Sequence, residues 1–302
     1  MVFREIYFRS MTTIIEELVP NDGTSRKIFK VVRSITIAIL ALVFMQLQGF
    51  AQNTGTPVKK KPVHAWYFSW GYNGETYTHS NIHVKQSDLG NDYTLNDVHT
   101  RDHEGWNDHF LQQELTIPQY NYRIGYVLDA KRGIGIELNF DHTKHIVSDG
   151  QDIRLSGKLG DHSGDTVIHY SEANGFYYYL NNGANFFLIN LVKRWQAYES
   201  HDQNLRIDAL AKGGIGPVIP HVQNSFFGKE NDPRFQFGGW NVGVEGDVKV
   251  SFFRYVYLEY GLKLDYARYS HLKIYDGTAS EAFGTFEQIL SLGININGKR
   301  HL

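Results

Sequence analysis

The chain has 302 residues, a formal net charge of -2, 14% aromatic residues, 29 Gly, 7 Pro and no Cys. A near-neutral balance without a long basic block argues against a nucleic-acid partner. The absence of cysteine excludes a disulfide scaffold, a thiolate metal site and an acylated lipoprotein anchor.

In chain order, the first signal is an export signal. Arg26, Lys27, Lys30 and Arg33 form a basic region ahead of the apolar run Ile35 to Phe44, and the small residues Gly49 and Ala51 precede Gln52. That run is too short to cross ~30 Å of hydrocarbon, so it predicts a cleaved secretory signal and not a membrane anchor. Residues 1–51 are expected to be an N-terminal extension and signal peptide, with an over-called start codon as the plain explanation for the stretch before Arg26. Residues 52–64, with Lys59, Lys60 and Lys61, are assigned as a periplasmic lead-in. Residues 65–298 are expected to form one barrel domain.

From Ala65 onward the dominant period is two. Ile134, Ile136, Leu138 and Phe140 alternate with Gly135, Glu137, Asn139 and Asp141. Val256, Leu258, Tyr260, Leu262 and Leu264 alternate with Tyr257, Glu259, Gly261, Lys263 and Asp265. Such alternation places the two sets on opposite faces of a sheet. It predicts eight strands near 65–77, 117–129, 133–145, 184–197, 204–217, 235–251, 255–270 and 283–297, each long enough for a tilted membrane strand. Short turns are expected at Asp129–Arg132, Glu199–Asn204 and Phe253–Arg254, and long polar segments at 78–116, 146–183, 218–234 and 271–282.

One face carries Tyr120, Tyr122, Tyr126, Phe187, Ile189, Leu191, Trp240, Leu290, Leu292 and Ile294. The other carries Arg123, Glu137, Asp141, Arg194, Lys212, Glu245, Asp247, Lys249, Glu259, Lys263, Asp265 and Glu287. A soluble periplasmic barrel would turn the charged face outward. Export and the recurrence of Tyr and Trp near strand ends favour the inverse arrangement. The fold class expected is therefore all-β: an eight-stranded antiparallel transmembrane β-barrel with short periplasmic turns and long extracellular loops, in the outer membrane of a Gram-negative-type bacterium. Eight strands leave an interior just filled by side chains, so mixed charges there should pair into a plug and not line a pore.

Fourteen His is a high count, and most lie toward predicted loop ends, among them His79, His83, His99, His103, His142, His145, His169 and His221. They are either a metal or acid/base site at the outer rim or simply solvated loop residues. His221 follows Gly213, Gly214, Gly216, Pro217 and Pro220, where the backbone is constrained. No serine-hydrolase elbow, phosphate-binding glycine loop or HExxH pattern is present.

Asp141-His142-Thr143-Lys144 and Pro217-Val218-Ile219-Pro220-His221-Val222, with the stretch from Asn91 through Asp102, resemble short elements of the small outer-membrane barrels related to rhizobial lipid A oxidase. The resemblance covers most of Ala65 to Asn297. It implies an eight-stranded barrel, an oxygen-dependent oxidation of a lipid A glucosamine, and a divalent metal as cofactor. Carried over to this chain, it nominates His142, Lys144 and His221 as catalytic candidates, the histidines as metal ligands or bases and Lys144 as the partner of a lipid phosphate. The chain departs from the pattern at Asp141, where Thr is usual, and at Gln223, where an acidic residue is expected. Two functions stay open. One is a non-enzymatic barrel with a structural or loop-mediated binding role at the cell surface; the other is a lipid A-modifying enzyme. Outer-membrane lipid or lipopolysaccharide is the partner expected of either.

Overall fold

The alternating segments form antiparallel strands. The computed structural model describes residues 65–103 and 119–297; the assigned signal peptide and lead-in lie outside them. In chain order the first nine strands are β1 (Ala65–Tyr77), β2 (Ser80–Gln86), β3 (Asn91–Val98), β4 (Thr100–Arg101), β5 (Tyr120–Asp129), β6 (Ile134–Asp141), β7 (His145–Val147), β8 (Gln151–Leu159) and β9 (His162–Tyr170). There follow β10 (Tyr177–Leu180), β11 (Phe186–Glu199), β12 (Leu205–Val218), β13 (His221–Phe226), β14 (Lys229–Glu230), β15 (Arg234–Phe235), β16 (Gly239–Phe252), β17 (Val256–Ile274) and β18 (Gly277–Asn297).

Eight of these pair in the order β1-β5-β6-β11-β12-β16-β17-β18, and β18 pairs in turn with β1 over Ala65–Tyr77. Every one of the eight therefore has a partner on both edges. Paired residues followed once around, from Trp66 through Tyr126, Ile136, Leu191, Gly213, Val244, Leu264 and Phe286, return to β1 at Thr76, ten residues further along. A stagger of this kind goes with strands tilted by roughly 35–45°.

The turns at one end of this ring are short. At 129–132 the Asp129 carboxylate accepts the backbone N–H groups of Lys131 and Arg132, and Phe253 and Arg254 turn with φ of 51° and 69°. At the other end the described residues of the long segments are mostly strand, which corrects their expectation as polar loops. Ile82, Val84, Tyr93, Leu95, Ile153 and Leu155 are buried there. They alternate with His, Lys, Asp, Asn, Arg and Ser, so each stretch averages to polar. Strands β2, β3, β8 and β9 extend the sheet from β18, while β14, β13, β10, β7 and β4 form a second sheet. Between them Tyr77, Tyr170, Tyr178, Phe186, Tyr269 and Phe283 join one apolar core. The stretch 271–282 is no loop either: β17 and β18 stay paired to a tight turn at Tyr275–Asp276. Strand β6 ends at Asp141, short of the expected 145, because the chain turns at His142–Lys144 before resuming as β7.

The two faces of the ring are sorted as the alternation predicts. Ile124, Leu138, Ile189, Leu191, Val244, Leu264, Leu290 and Leu292 are exposed. Trp66, Trp195, Phe253 and Tyr255 are exposed near the short turns, and Tyr122, Trp240 and Tyr266 toward the opposite end. Inside, charges interlock. Lys212 Nζ lies 2.7 Å from Glu259, 3.0 Å from Glu245, 3.4 Å from Glu137 and 3.5 Å from Asp247. Asp141 joins Arg123 and Lys263, each at 2.6 Å. Buried charge is tolerated only when paired and hydrogen-bonded in this way. Gly125 completes the packing, since a Cβ there would overlap the ring of Tyr67, whose hydroxyl donates to Glu137 at 2.9 Å.

Candidate functional site

The nominated residues lie where the ring gives way to the outer strands. His142 follows the last residue of β6, and its N–H still donates to Tyr120 O at 2.9 Å. It keeps the outward parity of Phe140 and stacks on Tyr120, with ring centroids 4.7 Å apart at 15°. Its Nδ1 stands 2.9 Å from Asn185 Oδ1. The Asn185 amide donates from Nδ2 to Ile219 O at 2.9 Å, so its oxygen must accept. His142 therefore carries its proton on Nδ1 and presents Nε2 as an acceptor. Burial lowers the His142 pKa, opposed by the bond to Asn185 and reinforced by the charge of Lys144. The side chain is a neutral base.

Asn185 was not singled out in the sequence, although it decides the orientation of His142. It adopts φ 50°, a left-handed conformation that Asn tolerates better than most residues. Gly183 (φ 109°) precedes it, and a Cβ at Gly183 would strike the Asn185 amide. The run Asn181-Asn182-Gly183 is the signal that marks this turn. A cleft of about 260 Å³ opens here. Its apolar walls are Tyr120, Phe140, Phe187, Ile219 and Phe235, and its polar groups are His142, Asn182 and Asn185.

Lys144 is buried, and its backbone N–H donates to the Gln119 side chain. Burial lowers its pKa, while Asp102 and Glu75 raise it. Those carboxylates form a polar cluster: Gln119 Nε2 donates to Glu75 at 2.6 Å and to Asp102 at 2.9 Å, and Glu75 N–H donates to Asp102 at 2.7 Å. His221 begins β13, where its N–H donates to Gly183 O at 2.8 Å and its ring meets Phe235 at 4.9 Å, edge to face. Burial lowers its pKa as well.

His142 and His221 thus flank the same segment, Gly183–Asn185, while Lys144 is tied to the Glu75–Asp102 cluster. Among the described residues, neither His142 nor His221 belongs to a group of three metal-type donors. His142 meets an amide where a metal site would place a carboxylate or a second imidazole. These residues do not fit the divalent ion that the lipid A oxidase resemblance implies. What the cleft offers chemically is a neutral hydrogen-bond acceptor and two amides at the mouth of an aromatic wall.

The chain matches no family model and no curated protein. Among solved structures it is similar to Neisserial surface protein A, at 10% identity over 77% of this chain and 97% of that one, with a TM-score of 0.30. It is also similar to the attachment invasion locus protein of Yersinia pestis, at 11% identity over 78% and 100%, TM-score 0.28. A third likeness is to the outer membrane protein OprG from Pseudomonas aeruginosa, at 8% identity over 78% and 96%, TM-score 0.30. At these values nothing of what those proteins do passes to this chain, and nothing in these likenesses links it to lipid A oxidase.

Proposed function

We propose that the eight long strands form a transmembrane barrel in a Gram-negative-type outer membrane, and that the outer strands form a rigid, non-enzymatic binding head at the cell surface. The observation that carries this reading is the inversion of the two faces. A network of Arg123, Lys212, Lys263 and their carboxylates fills the inside, while an apolar belt edged by Trp, Tyr and Phe is left outside. In water that belt would be a contiguous apolar surface far larger than soluble monomers expose; in hydrocarbon it is the favoured face. The buried apolar core of the outer strands supports a head with a fixed shape. The stacking of His142 on Tyr120 and its hydrogen bond with Asn185 support a structural role for that residue.

A second reading, modification of lipid A, draws on one observation. The His142 cleft opens beside Tyr120, Phe140 and Phe187, on the face that would meet lipid at head-group level. Mass spectrometry of lipid A from a deletion strain separates the two: an altered lipid A profile supports modification, and an unchanged one supports the binding head.

The native chain has no cysteine, so single substitutions report topology cleanly. Ser163→Cys, on β9, should react with a membrane-impermeant maleimide in intact cells. Lys131→Cys, on a short turn, should react only after the outer membrane is opened. Equal labelling of the two, or recovery of the protein in the soluble periplasmic fraction, would refute the proposal.

A further inference from the structure

We propose that His79, Asp97 and His99 form a binding site for a divalent first-row transition ion on the outer strands. The proposal is independent of the membrane reading and concerns none of the residues in the rim cleft. His79 lies in the two-residue connection between β1 and β2; Asp97 and His99 flank Val98 at the end of β3. One donor atom from each lies within 4.8 Å of the others. His79 Nδ1 is 2.9 Å from Asp97 Oδ1, and the rings of His79 and His99 have centroids 3.6 Å apart with their planes tilted by 48°.

The backbone beneath these donors is held from several sides. Asp97 turns with φ 55°, and its N–H donates to Asn81 Oδ1 at 2.9 Å, where the β2–β3 register shifts between Ser80 and Ile82. The His99 N–H donates to Gln151 Oε1 at 3.0 Å, and its carbonyl accepts from Gln151 Nε2 at 2.9 Å and from Ser148 N–H at 3.0 Å. The main chain is thus fixed, and the three side chains converge on one point.

Two imidazoles and one carboxylate are the donor set of Zn²⁺ and its neighbours, and a poor set for Ca²⁺ or Mg²⁺, which take oxygen. Donors around a tetrahedral zinc stand about 3.4 Å apart, so small side-chain rotations close the site. His79 and Asp97 have exposed side chains, which leaves the remaining coordination positions to water. The site is therefore suited to reversible capture of an ion from the medium. His83–Asp92 and His169–Asp152, each at 2.8 Å, are exposed pairs without a third donor among the described residues and serve as internal controls.

The test is calorimetric titration of ZnCl₂ into the full, untagged chain refolded in detergent micelles, with Co²⁺ absorption as a second readout of nitrogen coordination. One equivalent of Zn²⁺ should bind with micromolar affinity. His79→Gln and His99→Gln should each weaken it at least tenfold, and His169→Gln should leave it within twofold. Asp97→Asn, which keeps a side chain compatible with the left-handed turn, should weaken it while preserving the fold, as judged by heat-modifiable gel mobility. Absence of a stoichiometric site, wild-type affinity in the His79→Gln/His99→Gln double variant, or an equal loss in His169→Gln would each overturn the proposal.

Discussion

Leu191 and Lys212 are near neighbours on the paired strands β11 and β12, yet they lie on opposite faces of the sheet, Leu191 exposed and Lys212 buried. Leu191 is 65% exposed and lies between Phe187 toward the outer end and Trp195 toward the short turns. If that face meets hydrocarbon, Leu191→Lys should destabilise the protein by roughly 2–4 kcal/mol, as for lysine near a bilayer midplane. Lys212 sits among Glu137, Glu245, Asp247 and Glu259. Lys212→Met leaves those carboxylates without their central cation and should cost about 3–5 kcal/mol, the usual result of breaking a buried charge network from one side. Denaturant titration of refolding into lipid vesicles checks both. A soluble barrel would tolerate Leu191→Lys, so that measurement also bears on the proposed location.

At the scale of elements, the outer core depends on a buried imidazole. His145 in β7 stacks on Phe283 at 4.0 Å and meets Tyr77 edge-on at 4.8 Å, and neither ring nitrogen makes a hydrogen bond among the described residues. Burial pushes its pKa down to about 3, whereas the unfolded chain takes up that proton near 6.5. The unfolded state therefore binds more protons below pH ~6.5, and the contribution of His145 to stability, complete above that pH, is lost as pH falls toward 3. Glu281, whose Oε1 lies 3.6 Å from His145 Nε2, works in the opposite direction. It lies in the part of β18 beyond the pairing with β1, accepts from Ser80 Oγ at 2.6 Å, and is pushed up to about 8 by burial, so it weakens the core as pH rises toward that value. Between pH 7 and pH 4 the two groups oppose each other, so limited proteolysis of the outer strands should show only a weak pH dependence in the wild type. His145→Phe, which keeps the stacking on Phe283 and has no proton to gain, leaves Glu281 unopposed and should become more resistant to cleavage as pH falls over the same range.

For the whole molecule, the decisive quantity is the volume inside eight strands. A ring of this size is just filled by side chains, and here Arg123, Lys212, Lys249, Lys263 and their carboxylates occupy it, with Lys249 Nζ 3.4 Å from the centre of the Tyr257 ring. The outer strands stand beyond one end with a core of their own. Protein incorporated into planar bilayers should therefore show no steady open-channel conductance. Sustained unitary steps would mean that the interior network opens in lipid. The outer strands, the His142 cleft and the His79–Asp97–His99 cluster are the regions to probe for activity.

The sequence by itself determined the local geometry of the ring. Period-two alternation assigned Arg123, Glu137 and Lys263 to one face and Leu138, Leu191 and Leu292 to the other, because side chains on a strand alternate whatever the strand packs against. The short turns at Asp129–Arg132 and Phe253–Arg254 followed from spacing alone, and with them the up-and-down order of neighbouring strands. Only the tertiary structure decided what the outer segments do. Ile82, Leu95 and Leu155 become a core only when β2, β3 and β8 lie side by side, which no local pattern states. The same holds for the site residues. His142 is oriented by Asn185, 43 positions away, Lys144 is set in the field of Glu75 and Asp102, and His79 meets His99 because β2 and β3 shift register at Ser80–Ile82. Alternation fixes which way a side chain points from its own strand, whereas a site depends on which distant segment arrives opposite, and that is settled by packing and register.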